Sequence, residues 1–151
     1  MKRIIIAVMI LVLSLSIASA LNFDNLDNYA DFYNKKIETA PEVLKGMIGN
    51  EKVSLTILLN NGSTLGWGME LENAKIVESS YGDLKDATIE VKAAEDAIND
   101  VLHAKDPIVA YREAEESGQM SLEGKTFGAG IKIKIALGMG SMINSFISSL
   151  R

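Results

Sequence analysis

The chain of 151 residues contains no cysteine and only one histidine. The absence of cysteine excludes disulfide bonds, thiol catalysis and thiolate metal sites. The histidine, His103, follows the apolar residues of a predicted helix, where we expect a partly exposed helix-end residue rather than a base. No Gly-x-Ser-x-Gly, His-Glu-x-x-His or phosphate-binding glycine motif occurs. Asp83 and Asp86 flank a turn, but two carboxylates are too few for a calcium site. The sequence therefore offers no catalytic or metal-binding motif, and we expect a non-enzymatic protein without a cofactor.

The chain also lacks an excess of positive charge. It carries 15 Lys and Arg against 20 Asp and Glu, for a net charge of −5. Such a balance gives no electrostatic attraction to nucleic acid, which we exclude as a partner. Hydrophobic residues at 48% and charged residues at 23% are typical of a globular domain with one core.

A hydrophobic run long enough to span a bilayer is missing as well. Lys2 and Arg3 precede an apolar stretch, residues 4–17, which is shorter than the roughly 20 residues that a membrane-spanning helix needs. The small residues at 18–20 complete the pattern of a secretory signal peptide. We therefore predict an exported protein with a single domain over residues 21–151. An uncleaved membrane anchor is the alternative.

Residues 86–124 contain the clearest order of predicted elements. Alternating apolar residues at 87–91 predict a strand, and apolar residues at helical spacing predict a helix over 94–104. Asp106 and Pro107 form an N-cap followed by proline at the first helical position, which predicts a second helix. Gly118 ends that helix, and alternation resumes in a short strand before Gly124.

The residues upstream add two helices and three strands. Apolar positions at three- and four-residue steps predict an amphipathic helix within 21–40. Thr39 and Glu42 match a capping box for a short helix that would bury Val43. Alternation over 52–59 and 64–70, with a plausible third strand at 73–79, then indicates a five-stranded, mostly antiparallel sheet covered by helices on one face. The predicted fold class is α+β.

One turn carries a second motif. Asn61-Gly62-Ser63 joins two of these strands and supplies the Asn-Gly of a tight hairpin turn. The same three residues match an N-glycosylation acceptor in an exported protein. The sequence does not decide between the two interpretations.

The order of these elements resembles the sterol carrier protein 2-like (SCP2-like) lipid-transfer family. The resemblance is carried by the strand at 86–91, by Lys105-Asp106-Pro107 with Ala110 and Tyr111, and by the segment from Gly118 to Gly124. Residues 40–46, which precede a long strand, fit the same family. The resemblance implies an SCP2-like α+β fold with a fatty acyl or sterol-like ligand held between the sheet and a C-terminal helix.

The apolar C-terminal segment supplies most of the predicted ligand-binding residues. Alternation over 131–137 taken alone indicates a strand, whereas the spacing from Ile135 onward forms a helical stripe, and we favour a helix. Methionine suits a ligand cavity because its flexible side chain adapts to varied shapes. A solid core is the other interpretation of the same spacing. The predicted ligand-binding residues are Trp67, Met69, Phe127, Ile135, Met139, Met142, Ile143 and Phe146.

Two functions follow from this sequence. The first is non-enzymatic binding or transfer of a hydrophobic small molecule or lipid in an apolar tunnel. The second is an exported structural or interaction module, whose apolar C-terminal segment forms a homodimer or associates with a membrane surface. Two departures from the family bear on the choice. The export signal argues against intracellular sterol traffic. The lysines common in the last strand are replaced by Gln119, Ser121 and Glu123, which weakens attraction to anionic lipid headgroups.

Overall fold

A computed structural model describes residues 26–126 together with Gly128 and Ser145. The predicted signal peptide and almost all of the apolar C-terminal segment lie outside these residues, so the division at residue 20 stays a prediction. In chain order the elements are α1 (Leu26–Ile37), α2 (Glu42–Ile48), β1 (Glu51–Leu58), β2 (Thr64–Glu72), β3 (Lys75–Tyr81), β4 (Ile89–Ala94), α3 (Glu95–His103), α4 (Pro107–Glu116) and β5 (Met120–Gly124).

The strands form one five-stranded sheet in the order β3-β2-β1-β4-β5. Neighbouring strands are antiparallel except for β1 and β4, which are parallel. The parallel pair arises because the chain leaves the edge strand β3 and crosses past β2 and β1 before it enters β4. We call residues 82–88, which make this connection, the crossover loop. The predicted α+β class and mostly antiparallel sheet are confirmed.

One face of the sheet packs against the helices, because side chains alternate between the two faces of each strand. On β1, Val53, Leu55 and Ile57 point to this helix-covered face and are buried. Buried residues of all four helices join them in one continuous core. The helical members of that core are Ala30, Tyr33, Ile37, Leu44, Met47, Ile48, Ala97, Ile98, Val101, Ile108, Tyr111 and Ala114.

Helix α4 begins and ends where local chemistry predicts. The Asp106 side chain accepts hydrogen bonds from the backbone nitrogens of Ile108 and Val109, each at 3.1 Å, and Pro107 is the first helical residue. Gly118 follows the helix with φ of +74°, a conformation that favours glycine. This cap fixes the direction in which α4 presents its buried side chains.

Three local predictions were wrong. The Thr39 hydroxyl donates to the Lys36 carbonyl at 2.8 Å and does not cap α2. Val43 is 46% exposed, because the buried stripe of the seven-residue α2 starts one position later. The strand predicted from residue 87 begins instead at Ile89, since Thr88 still belongs to the crossover loop and its hydroxyl accepts a hydrogen bond from Lys52 N at 3.0 Å.

Candidate functional site

Two of the eight predicted ligand-binding residues lie in the described part of the chain. Trp67 and Met69 are on β2, opposite Leu55 and Val53 of β1, and point to the helix-covered face. Each is only 1% exposed, so neither borders a space that a water molecule could enter. The remaining six lie outside the described residues, and their role stays a prediction. They are Phe127, Ile135, Met139, Met142, Ile143 and Phe146.

Helix α1 closes the β3 edge of the sheet with two polar side chains. Asn34 pairs with the backbone of Ile76, because its Nδ2 donates to the carbonyl and its Oδ1 accepts from the N–H, both at 2.8 Å. The neighbouring Tyr33 is fully buried, and its hydroxyl donates to the Ala74 carbonyl at 2.7 Å. An edge strand without partners is a template for unwanted pairing. The two side chains protect this edge.

The turn that receives the Tyr33 hydroxyl is strained. Ala74 is buried with φ of +68°, and a left-handed conformation costs a non-glycine residue about 1–2 kcal/mol. Its N–H donates to the Gly49 carbonyl at 2.9 Å, and the preceding Asn73 N–H donates to Asn50 Oδ1 at 2.8 Å. With Tyr33 on the Ala74 carbonyl, three hydrogen bonds hold the turn in place.

Helix α4 buries a second tyrosine, which differs from Tyr33 in the hydrogen bonding of its hydroxyl. Tyr111 is 1% exposed and faces the core between Ile108 and Ala114 of the same helix. Among the described residues, its hydroxyl is the buried side-chain polar atom that forms no hydrogen bond. Burial, together with the nearby Glu115 carboxylate, raises the pKa of Tyr111 above its ordinary value. The Glu115 carboxylate lies near the Tyr111 hydroxyl, but the two groups do not meet the distance and angle of a hydrogen bond.

The second face of the sheet is partly covered by the crossover loop. Leu84 N donates to Ser54 Oγ, and Thr56 Oγ1 donates to Asp83 Oδ1, both at 3.2 Å. Gly68 lies beneath the Leu84 side chain, whose Cγ would be 2.6 Å from a Cβ at that position. Any larger residue at position 68 would have to displace the Leu84 side chain where the loop crosses β2.

The uncovered part of the second face contains a groove of about 560 Å³. Leu58 on its floor is exposed, and the side chain of Lys92 forms no ion pair with another described residue. Its remaining lining consists mainly of small or uncharged residues, namely Thr56, Thr64, Ala93, Ala94, Gly118, Gln119 and Ser121.

Ion pairs occupy the other end of the second face. Lys52 Nζ lies 2.6 Å from Asp86 and 2.9 Å from Glu70. Its hydrogen bond lowers the pKa of Asp86 below the usual range. Lys125 Nζ lies 3.1 Å from both Glu90 and Glu123. Two lysines face four carboxylates here, so this end of the face carries a net negative charge.

Two further findings concern only residues 26–126, Gly128 and Ser145. No three His, Asp or Glu side chains come together there in an arrangement that could hold a metal ion. No helix in that part of the chain has the length and hydropathy to cross a membrane.

Solved structures share this arrangement of helices and strands. The sterol carrier protein domain 2 of Helicoverpa armigera matches with a TM-score of 0.53 at 12% identity, over 85% of this chain and 96% of its own. The ubiquinone synthesis protein UbiJ-SCP2 matches with a TM-score of 0.55 at 10% identity, over 84% and 96%. A conserved hypothetical protein from Thermus thermophilus matches with a TM-score of 0.53 at 12% identity, over 88% and 92%. The fold is SCP2-like.

The likeness is one of structure, and at these identities it establishes the SCP2-like fold alone. No protein-family model and no curated protein matches the chain. The resemblance predicted from the ordered motifs is thus confirmed at the level of the fold.

Several features of this SCP2-like domain escaped the sequence analysis. Asn34 lies 42 residues from its partner Ile76, and no local pattern connects them. The Asn-Gly of residues 61–62 signalled one turn, but the left-handed Ala74 lacks the glycine by which a turn is usually recognised. Tyr111 appeared only as part of the family motif, and its unpaired hydroxyl depends on the packing around it.

Proposed function

We propose that this protein binds a hydrophobic ligand, such as a fatty acyl or sterol-like lipid, and carries it without chemical change. The SCP2-like fold is the observation that supports this proposal, since a solved structure with the same fold is a sterol carrier protein domain. The apolar composition of the C-terminal segment is the second support. Burial of an acyl chain contributes about 0.8 kcal/mol per methylene group, so a short tunnel gives useful affinity.

The proposed site combines a rigid wall with an adaptable one. Trp67 and Met69 are fixed on β2, between the edge strand β3 and the central strand β1, which suits a wall that keeps its shape. Met139, Met142 and Phe146 provide flexible or flat apolar side chains that adapt to different ligands. We expect the ligand to lie between these two groups of residues. Because Trp67 and Met69 border no water-sized space, side chains packed against them must move when it binds.

The first experiment asks whether a ligand is bound at all. Protein purified from its own host is examined by native mass spectrometry and then extracted with organic solvent. We expect an adduct that disappears on extraction and is recovered as an apolar compound. Repeated absence of any adduct, in protein that also fails to take up added dodecanol or dodecanoic acid, would contradict the proposal.

The second experiment tests the location of the site. Trp67 is the only tryptophan, so quenching of its fluorescence by a brominated fatty acid reports a ligand beside β2. We expect the triple variant M139Q/M142Q/F146Q to lose the quenching. The control V43Q/V109Q, which changes two exposed apolar residues, should retain it. Equal quenching in both variants would leave the ligand beside β2 but would exclude Met139, Met142 and Phe146 from its site.

Export is a separate proposal, supported by the signal-peptide pattern of residues 1–20. N-terminal sequencing of protein recovered from host cell fractions is the test. A mature chain beginning at Leu21 outside the cytoplasm is expected. A chain retained with Met1 in the membrane fraction would favour the anchor instead.

A further inference from the structure

The hydroxyl of Tyr111 has no structural role within the described residues. It is buried and forms no hydrogen bond, so the domain bears the cost of removing a polar group from water without recovering it. Phenylalanine has almost the same shape and avoids that cost. Buried polar groups are nearly always hydrogen-bonded, so an exception indicates a partner that the protein fold itself does not supply.

Tyr33 is an example of a buried tyrosine with a structural role in this chain. Its hydroxyl donates to the Ala74 carbonyl at 2.7 Å and so holds the strained turn. Both tyrosines are buried to the same degree and belong to the same core. The difference between them is therefore the missing partner of Tyr111, and not its burial.

The position of Tyr111 suits contact with a ligand. It lies on the helix-covered side of the sheet, in the same core as Trp67 and Met69. Asp106 caps the N-terminus of α4, so the hydroxyl is presented from a fixed helix. A rigid donor in an apolar surrounding is the type of group that orients a lipid by its polar end.

The charge beside Tyr111 restricts the type of polar end. Among the described residues, the charged group that acts on the hydroxyl is the carboxylate of Glu115. A second carboxylate placed there would be repelled, most strongly in an interior of low dielectric constant. An uncharged oxygen accepts the hydrogen bond from Tyr111 without that repulsion.

We propose that the Tyr111 hydroxyl donates a hydrogen bond to an uncharged oxygen at the polar end of a hydrophobic ligand. The ligand class is then long-chain alcohols, ketones, esters or sterol-like hydroxyl compounds, in preference to free fatty acids. This proposal rests on the proposed lipid-binding function and specifies it. Because the hydroxyl is enclosed, packed neighbours must move on binding, and association should be slower than diffusion allows.

The experiment uses a fluorescent reporter and two competitors that share a twelve-carbon chain and differ in the polar group at one end. Diphenylhexatriene, a fluorescent hydrocarbon, reports the apolar site, and 1-dodecanol and dodecanoic acid compete for it at neutral pH. The full-length variant Tyr111→Phe removes only the hydroxyl, and Tyr81→Phe changes an exposed tyrosine as the matched control. Glu115→Gln removes the neighbouring charge.

We expect Tyr111→Phe to bind diphenylhexatriene as the wild type does and to bind dodecanol about tenfold more weakly, a loss of about 1.4 kcal/mol. Tyr81→Phe should change neither value. Wild-type protein should prefer dodecanol to dodecanoic acid, and Glu115→Gln should reduce that preference.

Two results would overturn the inference while leaving lipid binding intact. One is unchanged dodecanol affinity in Tyr111→Phe with normal hydrocarbon binding. The other is a clear fall in the stability of ligand-free Tyr111→Phe, matched by Glu115→Gln, which would show that the hydroxyl bonds to Glu115 in solution. If the wild type bound none of the three probes, the proposed function would fail and this inference with it.

Discussion

The two buried tyrosines of this domain make opposite use of the same side chain. Tyr33 joins α1 to the strained turn between β2 and β3, and its hydroxyl is satisfied at 2.7 Å. Tyr111 is equally buried on α4, yet its hydroxyl forms no hydrogen bond within the part of the chain that the structure describes. Burial alone does not distinguish a structural residue from a functional one. The hydrogen-bond partner does, because an unpaired buried polar group lowers stability unless something outside the fold satisfies it.

The surroundings of Tyr33 offer the strongest test of this difference. Asn34→Ala leaves both the N–H and the carbonyl of Ile76 without their side-chain partner, and should lower the free energy of unfolding by about 2–3 kcal/mol. Urea unfolding followed by circular dichroism measures the change. Lys35→Ala, on the exposed side of the same helix, is the control and should lie within about 0.5 kcal/mol of the wild type. An Asn34 variant as stable as that control would show that the hydrogen bonds between Asn34 and Ile76 do not stabilise the domain.

Tyr33→Phe should have the next largest effect. The substitution leaves the Ala74 carbonyl buried and unpaired in a turn that is already strained, so we expect a loss of about 1–2 kcal/mol. Thermal unfolding of this variant beside Tyr81→Phe measures the cost of the hydroxyl at a buried and at an exposed position. A loss no greater than in the Tyr81 variant would mean that water satisfies the Ala74 carbonyl.

Tyr111→Phe should change stability in the opposite direction. Removing an unpaired hydroxyl relieves its desolvation cost, and we expect ligand-free protein to gain about 1 kcal/mol or less. The same unfolding experiments apply. Equal losses of stability in Tyr33→Phe and Tyr111→Phe would contradict the difference between the two residues, because both hydroxyls would then be structural.

Alkaline pH should have the smallest effect on the free energy of unfolding, and this effect is absent near neutral pH. Burial raises the pKa of Tyr33, and burial with the Glu115 charge raises that of Tyr111. The unfolded chain therefore releases these protons at lower pH than the folded one, and stability that is complete below about pH 10 is lost as the pH rises towards the folded-state pKa. Urea unfolding from pH 8 upward should show a shallower decline in Tyr33→Phe than in wild type.

A spectroscopic titration supplies the control for that result. The absorbance of tyrosinate should show that Tyr33 and Tyr111 ionise only as the protein unfolds, because burial raises the pKa of both hydroxyls. Ionisation of all tyrosines in one step before unfolding would show that the buried hydroxyls are accessible.

Local chemistry made much of the fold predictable. The N-cap of Asp106 and the stop at Gly118 depend on residues within one turn of the helix, so the sequence displays them directly. The alternation of Val53, Leu55 and Ile57 separates the buried face of β1 from the other, because the period of a strand is two residues. Each prediction required only neighbours along the chain.

The failures came from contacts between distant residues. The prediction that Val43 is buried was wrong because a seven-residue helix exposes whichever apolar residue the core does not reach. Leu84 and Gly68 meet because the crossover loop passes over β2, a contact that no pattern in either segment indicates.

The candidate site was likewise only partly predictable from the sequence. The Met- and Phe-rich spacing of the C-terminal segment was visible in the sequence, whereas the significance of Tyr111 was not. A tyrosine at a helical core position is a large apolar residue with a polar end, and a structural and a ligand-binding interpretation fit the pattern equally well. Only the absence of a partner in the folded structure separates them.

The sequence by itself determined which segments become helices and strands, which face of each is apolar, and the order of motifs that indicates an SCP2-like domain. Those properties follow from backbone preferences and from interactions among near neighbours. The tertiary structure alone decided which strands are adjacent, how Asn34 closes the sheet edge, and which buried hydroxyl remains unpaired. A hydrogen bond needs its two atoms about 3 Å apart, and such distances between residues far apart in the chain exist only once the whole core has packed.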